Sequence, residues 1–466
     1  MLAAMGALPL FEADKAEPFP RGFRFGVATS AFQIEGAADE DGRGESIWDR
    51  FCQTPGRVAN GDTGAVACDH YHRYRDDLDL VAELGLDAYR FSISWPRIHP
   101  TGRGRVNQAG LDFYRRVVET ALERGLRPLA TLYHWDLPQT LQDAGGWATR
   151  DTAAAFAEYT ATVVGALGDL VDDWVTQNEP WVSAVEGYAQ GKKAPGIADW
   201  PTAIRASHHL LLSHGLAVDV FRSAAPRGSR IGITLNLAPM IPASDTDADI
   251  EAATRADGYH NRWYLDPVLR GRYPADMLDF YATQGVDFSF VADGDEALIG
   301  RPTDFLGVNY YSVGRVRDAG DENFLGFEFE PARAPVTAMG WEIAPSSFTD
   351  LLIRLDRDYG RPRILVTENG AAFPDRANGA HVDDPQRVAY LADHFEAARR
   401  AVEAGVDLEA YFVWSLLDNF EWESGYGPRF GIVYVDYETQ ERTFKRSALW
   451  YRDLVARHRL ASTETV

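Results

Sequence analysis

Residues 88–93, AYRFSI, and residues 128–132, PLATL, flank the stretch 111–124, LDFYRRVVETALER. The outer two have the length and apolar character of buried strands, and the middle one reads as a helix. Strand, helix and strand in that order is the repeating unit of a parallel sheet. The alternation continues in both directions. Upstream, Phe25–Ala28 reads as a first strand, and an amphipathic helix closes over Leu78–Leu86. Downstream, Phe156, Tyr159, Val163, Leu167 and Leu170 mark a helix by spacings of 3, 4, 4 and 3. Val171–Thr176 follows as a strand, then a helix near Ala203–Phe221 and a strand at Ile231–Leu235. Phe305–Val308, Ile364–Thr367 and Ala410–Leu416 complete eight strands, with helices at Phe348–Tyr359, Pro385–Ala404 and Ser447–Arg457. Alternation alone also fits a large doubly wound sheet, but a count of eight favours an α/β fold of one kind, a single (β/α)8 TIM barrel with extended βα loops. The expected division is an N-terminal extension over 1–18, the barrel over 19–458 and a polar C-terminal tail over 459–466.

This reading replaces the three domains that 466 residues suggest at about 150 residues each. With 45% apolar and 25% charged residues the chain is globular, which excludes disorder and coiled coil as descriptions of the whole. The formal charge is −23, from 46 basic and 69 acidic residues. Such a chain repels phosphate backbones and anionic lipid, so neither nucleic acid nor a membrane is expected as a partner. No run approaches the ~18 apolar residues of a membrane span, and Met1–Phe11 lacks the basic start of a signal peptide. Cys52 and Cys68 form no CxxC or zinc pattern, and two cysteines exclude a disulfide framework. A reducing, cytoplasmic location is expected. The 12 Trp, 20 Tyr and 24 Phe exceed what is usual; most are core, and some suit binding platforms in partly wet sites, with a flat apolar face and a polar edge.

Chemistry in a barrel sits at the C-terminal ends of the strands. Those positions read Gln33, Arg90, His134, Glu179, Asn236, Tyr311, Glu368 and Trp414, polar or aromatic against strand bodies of Val, Ile, Leu and Ala. The two glutamates lie in Asn178-Glu179-Pro180 and Thr367-Glu368-Asn369-Gly370. Two carboxylates across a cleft are what glycosidic cleavage needs, one to protonate the leaving oxygen and one to attack the anomeric carbon or activate water. A buried glutamate beside Asn and Pro is equally able to be a structural acid, and the residues alone leave that choice open.

Three longer motifs bear on it. Phe23 to Gly36, FRFGVATSAFQIEG, resembles the N-terminal signature of family 1 glycoside hydrolases, the β-glucosidase family. Asn178-Glu179-Pro180-Trp181 resembles that family's acid/base motif, and Ile364 to Gly370, ILVTENG, its nucleophile motif. The resemblance runs from about Phe19 to His458. It implies a retaining β-glycosidase that removes a non-reducing terminal β-D-glucosyl residue, with galactosyl or fucosyl as alternatives, from small β-glycosides and oligosaccharides such as those of cellulose breakdown. Glu368 is then the nucleophile and Glu179 the acid and later the base, with Arg90 and Tyr311 in support. By the same match Gln33, His134, Trp135, Asn178, Asn309, Glu421 and Trp422 bind glycon hydroxyls. Trp414 is the floor under the ring, Trp341 the leaving-group platform and Phe430 a wall. The pair Glu421-Trp422 also implies unphosphorylated sugars, because a carboxylate repels a 6-phosphate.

The resemblance implies no cofactor and no metal. His208, His209 and His214 share a helix without HExxH spacing, and Asp69, His70 and His72 sit at a helix entry, so packing is the expected role of both groups. A non-catalytic sugar-binding relative would keep the aromatic platforms and lose a carboxylate, whereas both glutamates are present here. One departure stands out. In Lys192-Lys193-Ala194-Pro195-Gly196 the family usually has His immediately before Ala-Pro-Gly.

Overall fold

The computed structural model describes residues 19–378 and 381–464; the 1–18 extension lies outside the described residues. Eight parallel strands close into a barrel: β1 (Arg24–Ala28), β2 (Ala88–Ser92), β3 (Arg127–Tyr133), β4 (Asp173–Asn178), β5 (Arg230–Asn236), β6 (Phe305–Asn309), β7 (Ile364–Asn369) and β8 (Leu408–Trp414). Closure is direct, since β1 pairs in parallel with both β2 and β8. The helices that cover it include α1 (His70–Glu83), α2 (Gln108–Glu123), α3 (Arg150–Leu167), α4 (Trp200–Ala224), α5 (Pro345–Asp358), α6 (Pro385–Glu403) and α7 (Arg446–Glu464).

Several boundaries differ from the sequence reading, each for a local reason. α1 stops at Glu83 rather than Leu86 because Gly85, at φ +67°, turns the chain out of the helix. β8 ends at Trp414 rather than Leu416, since the Ser415 N–H bonds the Phe430 carbonyl and leaves the sheet. α7 runs on past Arg457 to Glu464, as no glycine or proline interrupts it. The loops carry small sheets with no clear sequence signal. Met240–Pro242, Gly314–Asp318 and Phe327–Phe329 form one, and Val433–Val435 pairs with Arg442–Phe444.

Ala28, Ala88, Leu129, Val175, Phe305, Leu365 and Phe412, from seven of the eight strands, pack together as one buried cluster, so the barrel is solid below its mouth. At the strands' N-terminal ends an ion network ties four of them together. Arg24 on β1 reaches Asp173 on β4 and Glu409 on β8, both at 2.6 Å, and Arg230 on β5 reaches the same two acids at 2.7 and 2.8 Å. Burial pushes the Asp173 carboxyl up, but the Arg230 and Arg24 guanidinium groups outweigh it and leave the pKa below the usual value. A depressed folded-state pKa contributes stability above the unfolded value and loses it as pH falls through the folded one. Arg24→Ala leaves the buried Asp173 to Arg230 alone and is expected to cost about 1.5–3 kcal/mol, the scale of a lost hydrogen bond between charged groups. Denaturant unfolding at neutral pH measures that cost, and a wild-type ΔG would exclude it.

Candidate active site

At the C-terminal mouth of the barrel lies a cavity of about 550 Å³. Its wall includes both glutamates, His134, Trp135, Asn309, Tyr311, Trp341, Trp414, Glu421, Trp422 and Phe430. Arg90, Gln33 and Asn178 are fully buried and stand behind that wall. Arg90 is not at a strand end as its sequence position suggests. It sits in the middle of β2, and Gln33 lies on a single helical turn, Ala31–Ile34, after β1.

Glu368, on β7, accepts a hydrogen bond on each of its carboxyl oxygens. Arg90 donates to its Oε1 at 2.5 Å and the Tyr311 hydroxyl to its Oε2 at 2.6 Å. Burial and the Glu368 charge hold the Tyr311 phenol well above its ordinary pKa, so it stays a donor. The Thr-Glu-Asn-Gly motif has a packing reason of its own. A Cβ at Gly370 would lie 1.7 Å from the Trp414 carbonyl oxygen, so only glycine lets β7 and β8 approach there. Asn369 donates to the Tyr310 carbonyl at 2.7 Å, which pins the strand end.

Glu179 follows β4 directly, with φ +49°, a left-handed conformation that few non-glycine residues adopt. Asn309, at the end of β6, donates to its Oε1 at 2.6 Å. Burial and the nearby Glu368 charge push its carboxyl well above the usual range. The two glutamates are therefore unlike: one has a guanidinium and a phenol, the other a neutral amide.

Asn178 joins their surroundings. Its Oδ1 accepts from Arg90 at 2.7 Å and from Asn309 at 3.1 Å, and its Nδ2 lies 3.1 Å from His134 Nε2. Burial, with Arg90 nearby, drives the His134 pKa far down, so the neutral ring accepts that bond. The aromatic residues form one stack: the His134 ring lies 5.9 Å from Trp414 and 6.1 Å from Trp422, and Trp135 lies 4.5 Å from Trp422. Trp135 (φ +78°) and Trp422 (φ +50°) are also left-handed, so three strained residues surround the cavity. Gln33 donates to the Asn419 side chain at 3.0 Å and the Phe420 carbonyl at 2.9 Å, and its amide lies 3.5 Å from Glu421. Trp341 is half-buried at the outer end, 5.3 Å from the Tyr311 ring and 5.9 Å from Phe430.

The outer wall adds Trp181, the last residue of the Asn-Glu-Pro-Trp motif, and four residues that no sequence signal singled out: Glu186, Met240, His260 and Phe329. Those four come from segments between barrel strands whose sequences carry no local sign of a shared cavity. Among the described residues no three His, Cys, Asp or Glu side chains are arranged to hold a metal. His208 bonds Tyr273 and Asp295, His209 the Trp147 carbonyl and His214 Thr176, which is helix-to-barrel packing. His70 pairs with Asp77 within α1, and Cys52 and Cys68 are free and buried.

A (β/α)8 barrel with two unlike carboxyl groups in an aromatic-walled cleft at its C-terminal face defines a glycoside hydrolase. The chain belongs to glycosyl hydrolase family 1, whose family model matches residues 15–460. It is 51% identical to beta-glucosidase A of Acetivibrio thermocellus, over 94% of this chain and 98% of that one. It is 47% identical to a bifunctional beta-D-glucosidase/beta-D-fucosidase of Bifidobacterium breve, over 94% and 98%. A solved family 1 β-glucosidase from Thermotoga maritima superposes with a TM-score of 0.92 at 47% identity, covering 95% of this chain and 99% of that one. Among the described residues no helix is long and apolar enough to cross a membrane.

Proposed function

We propose that the chain is a retaining β-glucosidase that releases the non-reducing terminal glucosyl group of small β-glycosides and cello-oligosaccharides in the cytoplasm. The names of its relatives favour glucosides, and the Bifidobacterium breve protein favours fucosides as a second substrate. The observation that carries the mechanism is the opposite treatment of two carboxyl groups in one cavity. Glu368, charged and oriented by Arg90 and Tyr311, attacks the anomeric carbon. Glu179, protonated, gives its proton to the departing oxygen. The glycosyl ester so formed removes the Glu368 charge, which after burial is the largest cause of the raised Glu179 pKa. That pKa falls, and Glu179 then takes a proton from the water that hydrolyses the ester. His134, Trp135, Asn309, Glu421 and Trp422 bind the glycon hydroxyls, with Gln33 and Asn178 completing the set from behind. The ring stacks on Trp414, the aglycone lies on Trp341, and Phe430 closes the side.

The anomeric form of the first product tests the double displacement. Proton NMR of early hydrolysis of an aryl β-glucoside is expected to show β-glucose before mutarotation, and α-glucose first would sink the retaining reading. Because the acid must be protonated, kcat/KM is expected to fall as pH rises through the elevated Glu179 pKa. That basic limb should vanish in Glu179→Gln; a limb that survives unchanged assigns it to another group.

A further inference from the structure

Lys193, where the sequence departs from its family, sits over the sugar cavity and not on the rim. Its side chain is 12% exposed, with Nζ 2.5 Å from Glu423 and 3.5 Å from Glu186. The ammonium also lies 5.7 Å above the Trp135 ring, a cation–π distance, and Trp135 packs on Trp422. Lys193 comes from the loop after β4, where its backbone N–H bonds the Glu186 carbonyl at 3.1 Å. Glu423 comes from the loop after β8, on the tight turn Trp422–Ser424. The ion pair therefore bridges two loops across one side of the cavity. The turn it reaches is one that needs holding: Trp422 is left-handed, and the Glu421 N–H bonds the Gly425 carbonyl at 2.8 Å to close it.

We propose that Lys193 is a positioning residue that sets glycon affinity, fastening the 421–424 turn through Glu423 and placing a fixed ammonium beside Glu421. This rests on the reading of Glu421 and Trp422 as glycon-binding residues. Burial pulls the Lys193 pKa down, but Glu186 and Glu423 outweigh it, so the side chain stays charged. Glu421 needs that charge. Enclosure pushes its carboxyl up to about 8, and the Lys193 charge opposes the rise. The other groups facing Glu421 are Glu423 on its own turn, Glu368 on β7, Gln33 after β1 and Tyr311 after β6. The two glutamates raise its pKa further, and the Gln33 bond lowers it. Without the ammonium, Glu421 takes up a proton at higher pH, and the share of the anionic form, the stronger acceptor for a pair of sugar hydroxyls, falls. The ground state and transition state both use that contact, so binding weakens more than the chemical step.

The test is the pH dependence of kcat and KM for p-nitrophenyl β-glucoside in four variants, with melting temperatures to report folding. Lys193→Met is expected to raise KM about tenfold or more at neutral pH while kcat changes less than about threefold. Its KM should begin to rise at a higher pH than in the wild type as the solution is acidified. Lys193→Arg, which keeps the charge, should recover most of the affinity. Glu423→Gln cuts the bridge but removes a negative neighbour of Glu421, so KM should rise without the alkaline displacement. A wild-type KM and pH profile in Lys193→Met would overturn the proposal, as would a loss confined to kcat or no recovery in Lys193→Arg. Should Lys193→Met fail to fold, an unchanged KM in Glu423→Gln overturns it. Glu421→Gln separates the two claims: an unchanged KM there refutes the glycon pocket itself, whereas a raised KM beside an unaffected Lys193→Met refutes only the role of Lys193.

Discussion

Glu368→Ala is expected to lower kcat on aryl β-glucosides by about 10⁵-fold or more, the scale seen when a covalent nucleophile is removed from a cooperating set. The Arg90 guanidinium and Tyr311 hydroxyl, which both bond Glu368, remain, yet neither can form the glycosyl ester. Water in the vacated space would have to attack from the face Glu368 occupied with no base beside it, since the role proposed for Glu179, as the protonated acid, lies with the leaving oxygen. The check is chemical as well as kinetic. A 2-deoxy-2-fluoro glycoside should add one glycosyl mass to the wild-type peptide carrying Glu368 and nothing to the variant. Azide fills the space with a small nucleophile and should restore turnover, giving the α-glycosyl azide. Activity within about tenfold of wild type in Glu368→Ala would dismantle the mechanism.

Glu179→Ala is expected to separate substrates by leaving group. For alkyl glucosides and cellobiose the loss should approach about 10⁴-fold, the upper range for a positioned general acid. For dinitrophenyl glucoside the first step needs no proton and should remain fast. The second step then lacks its base, so a burst of phenol followed by slow steady state is expected, with a lowered apparent KM as ester accumulates. Azide should relieve that step and yield the β-glycosyl azide, opposite in configuration to the product from Glu368→Ala. Equal losses on good and poor leaving groups would refute the acid role.

Much of this was legible in the chain. The period of the apolar residues is a local property, so eight strand–helix units appear in the sequence even where their ends are misplaced, by two or three residues at most boundaries and by seven at the last helix. Glu179 and Glu368 were visible because each lies in a contiguous motif at a strand end. Arg90 was placed at the mouth on the same logic and is instead mid-strand, where only closure of the barrel brings it within reach of β7. Lys193 stands out in the sequence only as a departure from the family and carries no sign of a place in the site, because its partner Glu423 lies 230 residues away. Met240, His260 and Phe329 were missed for the same reason: each is ordinary within its own segment, and the cavity is what relates them.

The barrel, the acidic and globular character of the chain and the family of the two glutamates are written along the chain, since they follow from periodicity, composition and short contiguous motifs. How differently those glutamates are treated depends on the folded arrangement. Desolvation and Coulomb interaction act through space and depend on enclosure and distance, not on sequence separation. Glu368 is paired with Arg90 from a strand 278 residues away, and Glu179 is left with an amide beside that charge.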